Sequence, residues 1–108
     1  MNFSRKIQLE KFLAREIALL LPFYFPVKKF GLVNVVWIKV AHGFDSAKVG
    51  VGVMRNSHQF DEVARKVISK IQRELNRKLV MKKVPKIILE LDRSGEILEK
   101  LEKLEEKS

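Results

Sequence analysis

The chain has 108 residues, 46% of them hydrophobic and 32% charged, enough for one domain around one modest core and too apolar for a disordered segment. Its 22 Lys and Arg outnumber 13 Asp and Glu, a net charge of +9 that points to a polyanionic partner. With no cysteine, a disulfide framework, thiol catalysis and a Cys-ligated metal are excluded, and a cytoplasmic setting is expected.

Ser4 to Leu21 reads as a helix, with Ser4 as candidate N-cap and Leu9, Leu13, Ile17, Leu20 and Leu21 as the inward stripe. Pro22 is expected to end it. Phe12 and Leu19 fall roughly opposite that stripe, so a second element is expected to cover them. The apolar run Ile17–Val27 lies mid-chain, lacks a small-residue cleavage pattern, and is too short to span a bilayer. Residues 22–31 read as a loop in which two prolines and a glycine bracket Phe23, Tyr24, Phe25, Phe30 and the pair Lys28 and Lys29. Those aromatics either stack on unpaired bases beside the lysines or plug the end of the core. Packing is favoured for most, with Tyr24 the one expected outside.

Leu32 to Ala41, rich in Val and Ile and carrying Trp37, has a strand signature. His42-Gly43-Phe44-Asp45 supplies turn chemistry, and Ala47 to Met54 alternates as a second strand, giving a hairpin. Gly50 and Gly52 share one face of that strand and leave room for a close approach, expected to be helix packing. Trp37 is assigned to the core or the sheet surface. The next helix is expected from Ser57 or His58 to about Leu79, with Asp61 and Glu62 in its first turn. Val84 to Leu91 reads as a third strand, at an edge or beginning near Pro85. Asp92-Arg93-Ser94-Gly95 reads as a turn, and Glu96 to Lys107 as a short helix. The order predicts an α+β fold: one three-stranded sheet covered by helices on a single face, plus the C-terminal helix. Residues 1–94 would form the domain and 95–108 a helix or tail.

Charge is unevenly placed. Between Arg65 and Lys86 stand nine Lys or Arg against one acid, Glu74. On a helical period Lys66, Lys70, Arg73 and Arg77 share a face distinct from that of Ala64, Val67, Ile68, Ile71 and Leu75. The candidate phosphate-binding set is therefore Arg65, Lys66, Lys70, Arg73, Arg77, Lys78, Lys82 and Lys83, with Lys28 and Lys29 in the first loop and Lys86 at the margin. A solvated helix face is the ordinary alternative for a charge run; the scarcity of interspersed acids favours binding. Catalysis finds little to work with: there is no Gly-x-Ser-x-Gly, P-loop or Rossmann glycine pattern. His42 and His58 have no carboxylate at metal-ligand spacing, and turn formation explains Asp45 and Asp92. No enzyme activity, metal or cofactor is expected.

Several strings, in order, resemble the ribosome-binding factor A family. They are Arg15-Glu16-Ile17-Ala18 with Leu20, Val33 and Val36, Ala47-Lys48-Val49, Ile71, Leu75 and Leu79, then Val84-Pro85 and Asp92. Together they cover roughly residues 5–94. The resemblance implies a KH-like domain of the second topological type, α-β-β-α(α)-β. It further implies binding to the immature 30S ribosomal subunit and its 16S rRNA in late assembly, as a monomer when free and away from membranes. The chain departs from the pattern in lacking the KH clamp Gly-x-x-Gly. It has Val67-Ile68-Ser69 where the family's helix kink usually shows Ala-x-Gly, so the helix is either softly bent or continuous. A general KH-like RNA binder, a small enzyme acting on an acidic substrate and a membrane-surface protein are the competing readings.

Overall fold

Leu9, Leu13, Ile17 and Leu21 recur at helical spacing, and all four are buried in the core. The helix that carries them, α1, spans Phe3–Tyr24 in a computed structural model that describes residues 3–94, 101 and 103–105. Pro22 does not end this helix. It lies inside it, on the exposed side, where the carbonyl it leaves without a partner can turn to water. Because helical phase persists beyond Pro22, Tyr24 returns to the inward stripe and packs against the core. Phe23, not Tyr24, is the outward aromatic at 80% exposure. The expected loop 22–31 is further reduced by one helical turn, α2, Val27–Phe30.

The sheet follows the predicted hairpin, with β1 at Val33–Val40 and β2 at Ser46–Val53 paired antiparallel. Strand β3, Lys86–Leu91, then adds parallel to β2 in the order β1-β2-β3. A register shift between Val35 and Trp37 moves β1 by one residue, so Val33, Val35, Ile38 and Val40 all pair with inward positions of β2. Ala47, Val49 and Val51 of β2 and Ile87 of β3 complete the buried face. The hairpin turns through Gly43 and Phe44, both at positive φ.

Each outer strand has its edge touched by a helix side chain. Glu10 of α1 accepts a hydrogen bond from the Val40 N–H at 2.9 Å. Gln72 accepts from the Ile87 N–H at 2.8 Å and donates to the Pro85 carbonyl at 3.0 Å. Polar contacts of this kind occupy edge groups that could otherwise recruit another strand.

The third helix, α3, runs Phe60–Lys78 after a 3-10 turn at Ser57–Gln59. It therefore begins later than Ser57 or His58, and no side chain caps it. Its backbone passes through Val67-Ile68-Ser69 as one helix, which is the continuous form among the two the missing glycine left open. Phe60 opens it by stacking on Phe25, ring centroids 5.2 Å apart, while Phe30 meets Phe25 edge-on at 5.4 Å. All three rings are fully buried; they close the core where α1, α2 and α3 meet. The expected C-terminal helix lies largely outside the described residues. Leu101 and Leu104 are exposed and do not cover Leu19, itself 61% exposed, whereas Phe12 packs partly buried on the core.

Candidate nucleic-acid interface

Phe60, Ala64, Ile71 and Leu75 anchor α3 to the sheet, which turns Lys66, Lys70, Arg73 and Arg77 outward, all exposed. Two of the four are matched by short-range acids: Lys66 with Glu62 at 3.3 Å and Arg77 with Glu74 at 3.2 Å. Exposed pairs of this kind contribute about 0–1 kcal/mol, so a phosphate could displace them. Lys70 and Arg73 have no acidic partner among the described residues. Lys78 is used differently. Its ammonium reaches Glu16 of α1 at 3.2 Å, with the Glu16 side chain only 15% exposed, and so ties two helices together.

The remaining candidates do not join this face. At about 100° per residue, the side of α3 bearing Ile68, Gln72 and Asn76 is rotated by about 130° from the basic quartet. That side lines a groove of about 650 Å³, closed opposite by Met81, Lys82, Lys83, Val84 and Lys86. Helical phase brings exposed Arg65 to the groove side. Lys83 lies 3.8 Å from Asp45, both highly exposed, while Lys82 and Lys86 have no acidic partner among the described residues. The lining mixes apolar Ile68, Met81, Val84 and Ile87 with polar Ser69, Gln72 and Asn76, and lysines stand at the rim, a combination suited to a base with its phosphate. What the sequence presents as one basic stretch is thus two surfaces on different sides of α3.

Lys28 and Lys29 form a third cluster. Helix α2 is fastened to the end of β2: the Phe30 carbonyl accepts from the Met54 and Arg55 N–H groups at 3.0 and 2.9 Å. The Arg55 guanidinium donates to the Val27 carbonyl at 3.0 Å and Asn56 donates to that of Lys29 at 2.6 Å. These bonds leave both lysines exposed beside Arg55. Arg55 is missed by sequence reasoning because only the docking of two distant segments brings it there.

The open face of the sheet corrects another expectation. No helix lies over Gly50. The indole of Trp37 does, directly across the strand pair, where a Cβ on Gly50 would run into the ring. Trp37 Nε1 then donates to Asp92 Oδ2 at 2.8 Å. Hydrogen bonds from Ser94, through its side chain and then its backbone N–H, with a smaller contribution from Trp37, hold the Asp92 carboxyl below its ordinary value. A lowered folded-state value means that Asp92 adds stability above the usual aspartate range, about 3.9, and loses it as pH falls through the folded value. Acid titration should therefore change Trp37 emission below about pH 4, ahead of loss of helical circular dichroism. Asp92→Asn should lack that step; an unchanged titration would refute the linkage.

Among the described residues no helix is long and apolar enough to cross a membrane, and no three His, Cys, Asp or Glu side chains gather as a metal site. No family model and no curated protein matches the sequence. Solved structures do match. The crystal structure of ribosome-binding factor A from Thermus thermophilus superposes with a TM-score of 0.69 at 19% identity, covering 82% of this chain and 98% of that one. A homology model of the Thermus thermophilus factor, fitted into the cryo-EM map of a 30S complex, gives 0.63 at 18% identity, covering 82% and 92%. An α+β chain whose antiparallel hairpin is extended by a parallel third strand, with its helices on one face, is KH-like in arrangement; it has the fold of ribosome-binding factor A.

Proposed function

We propose that this protein binds the small ribosomal subunit through 16S rRNA and assists late 30S assembly and rRNA maturation in the cytoplasm, without catalysis and as a monomer when free. The observation that carries this reading is the pair Lys70 and Arg73, exposed and without acidic partners among the described residues, on the fold of a factor that has been fitted into a map of a 30S complex. Positive charge at fixed spacing on a helix suits the phosphates of folded RNA, which are recognised by shape more than by base edges. A general KH-like RNA binder is the second reading, and the cation-rimmed groove beside α3 favours it. The missing Gly-x-x-Gly clamp counts against threading a single strand there.

Co-sedimentation with purified 30S, 50S and 70S particles at two salt concentrations separates the two. The expected result is binding to 30S alone, lost at the higher salt because phosphate contacts release counterions. Equal pelleting with all three particles would reduce the protein to a general RNA binder.

A further inference from the structure

All the packed helices lie on one face of the sheet, and the other face carries an arrangement that stability does not explain. Lys39 of β1 stands directly opposite Lys48 of β2. Like charges in that position destabilise a strand pair. Lys48 reaches only Glu90, at a loose 3.9 Å, and Lys39 has no acidic partner among the described residues. The adjoining outward pair on the same two strands is Trp37 and Gly50.

Trp37 is unusually well fixed for a side chain that is 37% exposed. The bulge in β1 aims it, the bare backbone of Gly50 lets the ring lie down, and Asp92 beyond β3 holds its N–H. The indole covers Gly50 from the open side of the sheet while the residue keeps that exposure. Covering a glycine would account for the ring by itself. It does not account for two opposed lysines beside it.

We propose that this sheet face binds an unpaired nucleotide of single-stranded RNA, its base stacked on the exposed surface of Trp37 and its phosphates held by Lys39 and Lys48. With the indole N–H occupied by Asp92, the base is held by stacking, which tolerates any sequence. The inference rests on RNA being the ligand class, but it uses a surface separate from the α3 face and from the groove.

Trp37 is the chain's single tryptophan, so its emission reports on this surface alone. The full chain is titrated at low salt with ten-nucleotide oligouridylate and oligoadenylate, and with duplex RNA of equal length. Anisotropy of end-labelled oligomers is followed in parallel. Single strands should quench Trp37 emission and the duplex should not. Lys39→Gln with Lys48→Gln should weaken binding about tenfold, and Trp37→Leu about tenfold to a hundredfold. Lys70→Glu with Arg73→Glu should leave the quenched end-point unchanged. A rise in anisotropy without quenching would overturn the proposal while leaving the small-subunit reading intact, and so would failure of any single strand to bind. Quenching of the parent protein by single strands, with no co-sedimentation of that parent protein on 30S particles, would sink the small-subunit reading alone.

Discussion

Phe60→Ala is expected to lower the free energy of unfolding by about 3–5 kcal/mol, the usual range for removing a buried phenylalanine. Phe60 is fully buried, and its ring stacks on Phe25, which in turn meets Phe30. The site can hardly collapse to fill the space, because three backbone segments converge on it and each is pinned by its own hydrogen bonds. A domain of this size is stable by about 5–15 kcal/mol, so the variant should lose a large fraction of its stability. Urea denaturation followed by circular dichroism measures the change. Phe23→Ala is the control: at 80% exposure it should move stability by less than about 0.5 kcal/mol. A Phe60 variant within about 1 kcal/mol of the parent, where such losses average 3–5, would show that the aromatic cluster does not organise the core.

Charge reversal at Lys70 and Arg73 should act in opposite directions on stability and binding. Affinity for 30S particles should fall by about one to two orders of magnitude at low salt, with a shallower salt dependence because fewer counterions are released. Thermal stability should hold or rise slightly. In the parent, Lys70 follows Lys66 by four residues and Arg73 precedes Arg77 by four; carboxylates at 70 and 73 would turn these two repulsions into attractions of a few tenths of a kcal/mol, partly offset because a carboxylate at 70 repels Glu74 four residues on. Lys82→Glu with Lys83→Glu tests the groove rim in the same assay. Undiminished 30S binding by the Lys70 and Arg73 variant would exclude the outer face of α3 as the docking surface. A lowered melting temperature would mean that the residues are structural.

Much of this was legible in the sequence because periodicity and turn chemistry are local. The stripe from Leu9 to Leu21, the His42–Asp45 turn and the alternation of β2 fixed the elements and their order. What stayed hidden was relational. Nothing local to Gly50 reveals that Trp37, thirteen residues earlier, lies across it, because register depends on a bulge at Val36. Arg55 joins Lys28 and Lys29 only through hydrogen bonds between segments far apart in sequence. The nine cations of 65–86 read as one patch because the chain is linear; helical phase and the turn back into β3 divide eight of them between two sides of α3, and Lys78 turns to Glu16 of α1. Pro22 misled for a related reason: a proline on the solvent side of a helix's last turn costs less than one facing the core.

The unbroken course of α3 bears on how discriminating the protein can be. Nineteen residues in one helix make a rod about 27 Å long, with no glycine joint along which its two ends could flex independently. Along the helix axis its four outer cations follow one another at intervals of about 4.5–6 Å, set by helical rise. Such a surface works as a gauge. The helix backbone cannot remodel itself to suit a partner, so an RNA surface whose phosphates lie beyond the reach of these side chains would lose contacts together. Under the proposed function, a maturing particle would be sensed by geometry, with poor fit expressed as faster release.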